Sequence, residues 1–166
     1  MPEDDVEAVR WYRLAAEQDN AKAQGNLGVV YATGEGVIED DAEAVRWFRL
    51  AAEQGDAPAQ NNLGGMHATG EGVPNDDVEA VRWFLLAAEQ GDAPAQTSMG
   101  YMYANGRGVP QDAISAHMWL NLAAAGGSDS ARTMRDQLAA DMPPADVAEA
   151  QRRATACLAS GYKACD

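Results

Sequence analysis

Two hydrophobic patterns alternate along the chain, and both have the period of an α-helix. In the first, Ala44, Trp47, Phe48 and Ala51 fall at i, i+3, i+4 and i+7, one apolar stripe of an amphipathic helix. Glu43, Arg46, Arg49 and Glu53 lie off the stripe, at spacings that suit side-chain ion pairs. In the second, Ala59, Leu63, Met66 and His67 repeat the logic, as do Ala95, Met99, Met102 and Tyr103. Asp56 and Asp92 are placed to cap the start of this second helix. Pro58 and Pro94 stand in its first turn, where a missing N–H does no harm. Gly34, Gly70 and Gly106 suit the left-handed residue just beyond its end.

The two patterns form one repeating unit. Trp11, Trp47, Trp83 and Trp119 are spaced by 36 residues, and residues 41–60 match residues 77–96 at 18 of 20 positions. Tryptophan helices are therefore expected near 5–18, 41–54, 77–90 and 113–125, the first unit being truncated at its N-terminus. Gly28, Gly64 and Gly100 recur in mid-helix, where glycine is costly, and predict the close approach of a neighbouring backbone or a tryptophan ring. The recurring tryptophans themselves read as core.

These residues resemble the Sel-one-like repeat (SLR) family, relatives of the tetratricopeptide repeats with a longer unit. The motif A-x-A-Q-x-x-L-G-x-x-Y-x-x-G-x-G-V runs from Ala21 to Val37 and continues as D-x-x-A-x-x-W-[YF]-x-x-A-A-E-Q-G from Asp41 to Gly55. It recurs from Ala57 and partly from Ala93. The resemblance implies a bacterial, all-α, right-handed solenoid of antiparallel helix pairs. It also implies a concave face for protein binding and an adaptor or scaffold role without catalysis.

The ends depart from the pattern. Met1 and Pro2 fall where Val73 and Pro74 fall, inside an inter-helix loop, so a fragment of a longer array is expected. The fourth tryptophan helix has Ser115 for glutamate, His117 for valine and Met118 for arginine. Met142, Pro143 and Pro144 interrupt the chain before a mixed polar helix near 145–160. The expected organisation is a repeat solenoid over 1–141 and a capping helix with tail over 142–166. Cys157 and Cys165 are close enough in sequence to bridge if the tail folds back, and otherwise are two thiols in a reducing cytosol. A bridge would favour a periplasmic or secreted protein, its absence a cytoplasmic one.

Composition narrows the partners. Twelve basic against 26 acidic residues give a net charge of −14, which opposes binding to nucleic acid or anionic lipid. No continuous apolar run reaches the length of a membrane span. The 34 alanines and two isoleucines favour helix over strand. The Gly-x-Gly elements, Gly34–Gly36, Gly70–Gly72 and Gly106–Gly108, follow helices and recur as connectors, unlike a phosphate loop after a strand. His67 and His117 have no companion at metal spacing, and the pairs Asp4–Asp5, Asp40–Asp41 and Asp76–Asp77 read as helix caps. No cofactor, metal or catalytic set is expected.

Function is then expected where repeats differ. The columns beside the Ala–Leu–Met/Tyr stripe read Gly25, Asn61, Thr97; Asn26, Asn62, Ser98; Val29, Gly65, Tyr101; and Thr33, Thr69, Asn105. The candidate partner-binding residues are Asn26, Val29, Asn61, Asn62, Thr97, Ser98, Tyr101 and Asn105, amides and hydroxyls able to grip a peptide backbone around one aromatic. The partner is expected to be a basic or polar protein segment, with weak self-association open through the N-terminal edge. Two other readings stand beside this one. The first is a bacterial envelope protein that binds cell-wall or small ligands; the second is a structural spacer within a larger protein.

Overall fold

The structure is a computed structural model in which residues 3–163 and 165 are described, with side chains from Val6 onward. Met1, Pro2 and the side chains of Asp4 and Asp5 lie outside the described residues. Nine α-helices and no strand occur among the described residues.

The chain divides into two compact units at Asp76–Asp77. Unit 1 contains α1 (Glu3–Ala16), α2 (Ala21–Thr33), α3 (Asp41–Glu53) and α4 (Ala57–Thr69), each packed on the next. Unit 2 contains α5 (Asp77–Ala88), α6 (Ala93–Asn105), α7 (Ala113–Ala125), α8 (Asp129–Asp141) and α9 (Pro144–Ala159). Here α5 packs on α6 and α6 on α7, while α8 and α9 both pack on α7.

The helix boundaries follow from side-chain caps. Asp40, Asp56 and Asp92 accept hydrogen bonds from the backbone N–H groups of Glu43, Ala59 and Ala95 at 3.0, 3.0 and 2.8 Å. Gly34, Gly70 and Gly106 end α2, α4 and α6 with φ of 71°, 83° and 65°, in the region where a side chain is strained. The second loop glycine has a different duty. A Cβ on Gly72 would stand 2.3 Å from the Asp41 carbonyl oxygen, and one on Gly108 2.2 Å from that of Asp77. Only glycine lets the loop lie on the start of the tryptophan helix.

A buried glutamine ties each of the first three tryptophan helices to the helix after it. Gln24, Gln60 and Gln96 donate through Nε2 to the carbonyls of Ala16, Ala52 and Ala88 at 3.2, 3.0 and 3.1 Å. These carbonyls lie in the last turn, outside the regular helical ladder. Each also accepts the N–H of Asp19, Gly55 or Gly91 at 3.1, 3.0 and 3.0 Å, so the glutamine is a second donor. The Gln24 oxygen in turn accepts from Gln54 at 2.7 Å.

The mid-helix glycines are explained by contact, but not with tryptophan. A Cβ on Gly28 would meet the Phe48 ring at 2.4 Å, and one on Gly100 would meet Leu120 at 2.6 Å. Phe48 and Leu120 hold the same place in the repeat, immediately after the tryptophan. The bulky side chain is seated where its neighbour has none.

One expectation fails at the first tryptophan. Trp47 and Trp119 are 8% and 2% exposed, whereas Trp11 is 62% exposed. Trp47 is covered by Val9, Ala16, Ala23, Leu27 and Val30 of the preceding helices. Trp11 has no such cover among the described residues.

The altered sequence of α7 has a packing cause. Met118 is 1% exposed in the place of the exposed Arg46 and Arg82, and Leu122 is fully buried where Leu50 and Leu86 are 37% and 44% exposed. The extra layer of α9 on α7 accounts for both. His117 occupies the place of the buried valines Val45 and Val81 and is itself 2% exposed, its Nδ1 without a hydrogen-bond partner among the described residues. Burial pushes the imidazole below its ordinary value, with Arg135 adding to the effect and Asp136 opposing it.

Two predictions follow from this packing. Gly100→Ala is expected to destabilise the protein by about 2 kcal/mol or more, measured by urea unfolding, because the new methyl collides with Leu120. His117 is neutral in the folded chain, while the unfolded chain takes up a proton below about pH 6.5, so stability is lost as pH falls from that point. His117→Val should flatten the decline between pH 7 and 5 and gain about 1 kcal/mol at pH 7; an unchanged pH slope contradicts the assignment.

Candidate binding grooves

In unit 1, α2 and α4 run side by side and leave a groove of about 250 Å³ between them. It is lined by Lys22, Gly25, Asn26, Val29, Asp56, Pro58, Ala59 and Asn62. The helical period places Lys22, Asn26 and Val29 on one face of α2 and Pro58, Ala59 and Asn62 on the facing side of α4. Gly25 lies on the floor, where a Cβ would stand 3.5 Å from the Asp56 carboxylate, in ordinary contact. That carboxylate caps α4, and the Lys22 side chain is exposed at the rim. Val29 is 40% exposed. The carboxamides of Asn26 and Asn62 make no hydrogen bond among the described residues, so each presents a donor and an acceptor to the groove.

Three sequence candidates, Asn26, Val29 and Asn62, are thus brought together. Asn61 is not among them: it is half-buried outside this groove, its amide oxygen without a partner among the described residues. Thr69, in another column, returns its hydroxyl to the Gly65 carbonyl at 3.1 Å.

Unit 2 has a groove of about 450 Å³ lined by Ala93, Pro94, Thr97, Gly126, Gly127, Ser128 and Ser130. Of the candidates on α6, only Thr97 reaches it, and its hydroxyl donates to the Ala93 carbonyl at 2.8 Å. Ser98 donates to the Pro94 carbonyl at 3.2 Å and Asn105 to that of Tyr101 at 2.8 Å. Thr97 and Ser98 keep acceptor capacity but have committed their single donors to their own helix, while Asn105 has turned one of its two amide hydrogens back. Tyr101 is 43% exposed, with the Arg107 guanidinium 6.0 Å from its ring centre.

Arg107 did not figure among the sequence candidates. It makes a two-pronged ion pair with Asp77 at 3.0 and 2.5 Å, fastening the glycine loop to the start of α5 beside Tyr101. The signal was legible: Arg107 stands in the loop position held by Glu35 and Glu71 in the earlier repeats.

Cys157 and Cys165 form a disulfide with a Cα separation of 4.6 Å. Among the described residues, no three His, Cys, Asp or Glu side chains are grouped to hold a metal ion, and no helix is long and apolar enough to cross a membrane.

Comparison with known proteins places this geometry. The Sel1 repeat matches four times, at residues 1–20, 21–56, 57–92 and 93–128. The crystal structure of a Sel1 repeat protein from Oxalobacter formigenes is 39% identical with a TM-score of 0.76, over 81% of this chain and 55% of that one. A protective antigen present in uropathogenic Escherichia coli strains, displaying an SLR fold, is 33% identical with a TM-score of 0.85. That match covers 93% of this chain and 34% of the antigen, so the chain spans about half and about a third of the two solved proteins. No curated protein matches the chain. With the family model matching over residues 1–128 and both solved structures sharing the fold, the chain belongs to the Sel1 repeat family, an all-α repeat-solenoid class.

Proposed function

We propose that this chain is a non-catalytic adaptor that binds an extended peptide segment of a partner protein, with the unit 1 groove as its main grip. Sel1 repeats are generally protein–protein interaction modules, and typically non-catalytic scaffolds. The observation that carries the finer reading is the pair of uncommitted carboxamides, Asn26 and Asn62, flanking the exposed Val29 in one groove. A carboxamide matches the alternating N–H and C=O of an extended backbone, and a valine gives an apolar contact between two such bonds. Tyr101 is a second anchor in unit 2, held by Arg107. Asn61, Thr97, Ser98 and Asn105 play the lesser part of accepting hydrogen bonds.

The charge of −14 favours basic or polar segments, and the Cys157–Cys165 bridge favours an exported protein. Peptides selected by display against the whole chain test the reading. Asn26→Ala combined with Asn62→Ala should weaken the selected peptide at least tenfold, about 1.4 kcal/mol, without lowering the thermal midpoint. Association should slow as salt is added. Unchanged affinity in the double variant, or selection of acidic peptides, overturns the proposal.

A further inference from the structure

The last helix ends in a short, tightly organised turn. Beyond Ala159, the Tyr162 N–H donates to the Cys157 carbonyl at 2.9 Å and the Ser160 hydroxyl to the same carbonyl at 2.8 Å. The Lys163 N–H donates to the Ser160 oxygen at 3.1 Å. Tyr162 takes φ of 64°, a conformation that residues with a side chain rarely adopt. The disulfide closes the segment eight residues after Cys157.

This turn reaches away from α9. The Tyr162 ring lies on Gly91, in the turn between α5 and α6, where a Cβ would stand 3.0 Å from the ring edge. The contact is peculiar to this repeat. Gly55 and Gly127 hold the same place in the other turns, and a Cβ on either would meet nothing within 4 Å. The Gly91 turn also sets the start of α6, because Asp92 caps that helix through the Ala95 N–H.

We infer that the Cys157–Cys165 bridge is a redox latch, holding the C-terminal segment as a strap across the α5–α6 turn until a dithiol reductant releases it. Cys157 is fully buried and Cys165 half-buried, so the thiolate of the reductant attacks the Cys165 sulfur. The S–S bond breaks, and Cys157 leaves as a thiolate that takes a proton from water. The second thiol of the reductant then resolves the mixed disulfide and frees Cys165, so the reductant ends as its own disulfide and two electrons pass to the protein. With the bridge open, only the local turn holds Tyr162 in its strained backbone conformation, and the ring leaves Gly91. The release loosens the beginning of the helix that carries Thr97, Ser98 and Tyr101, and stands whether or not the peptide-binding reading holds.

Hydrogen exchange on the whole chain, with and without dithiothreitol, tests the latch. Reduction should speed exchange at least tenfold in residues 88–95 and 157–163 while leaving α7 unchanged. Cys165→Ser should show the reduced pattern without reductant. Tyr162→Ala should release 88–95 with the bridge intact, and Tyr162→Phe should not. Equal exchange in 88–95 before and after reduction overturns the inference, as does a Tyr162→Ala variant that leaves it protected. A uniform rise across unit 2 overturns it as well, since the bridge would then hold the fold and not a strap.

Discussion

An α-helix leaves its last carbonyls without backbone partners, and a protein built from helices of 12 to 16 residues meets that shortage at every corner. This chain answers it with a buried side chain. Gln24, Gln60 and Gln96, 1–4% exposed, reach back to Ala16, Ala52 and Ala88 and fix where one helix ends relative to the body of the next. The bond gives a buried second donor to a carbonyl that also accepts a turn N–H, and it ties the two helices of the pair together. Within these pairs the loop glycines lie against the carbonyls of Asp41 and Asp77, while Phe48 against Gly28 and Leu120 against Gly100 pack one pair on the next.

The grooves are a consequence of the same geometry. Once the helices of a unit are held in register by core residues that recur every 36 positions, the columns between them are released from packing and are free to vary. In unit 1 the variation leaves two amides without a protein partner among the described residues and an exposed valine lining one groove. In unit 2 it turns Thr97, Ser98 and Asn105 back onto their own helix and introduces Arg107 where the other repeats have glutamate. Two grooves in similar places are therefore chemically unequal, which a motif shared by all repeats does not reveal.

Much of the architecture was legible because each unit repeats local signals of definite physical cause. The caps of Asp40, Asp56 and Asp92, the helix-ending glycines and the stripe of Ala44, Trp47, Phe48 and Ala51 stand where the spacing put them. What was hidden depended on neighbours distant in sequence. Trp11 carries the same motif as Trp47 yet is exposed, because burial belongs to the covering helix and not to the tryptophan. The glutamine of the A-x-A-Q motif was visible, but its carbonyl partner eight residues earlier was not. Tyr162 looked like an ordinary tail residue until the fold set its ring on Gly91. Of the candidate site, Asn26, Val29 and Asn62 were found by comparing repeats, while Arg107 was passed over although the same comparison singles it out.

Replacing one clamp tests the account most directly. Gln96→Met keeps the length of the side chain and most of its volume, and removes the donor to the Ala88 carbonyl. Urea unfolding should show a loss of about 0.5–1.5 kcal/mol, the net worth of one buried hydrogen bond to a carbonyl that keeps the Gly91 N–H. Hydrogen exchange should rise first at the end of α5 and the start of α6. A variant as stable as the parent, with exchange unchanged at that corner, would contradict the claim that the buried glutamine sets the helix pair.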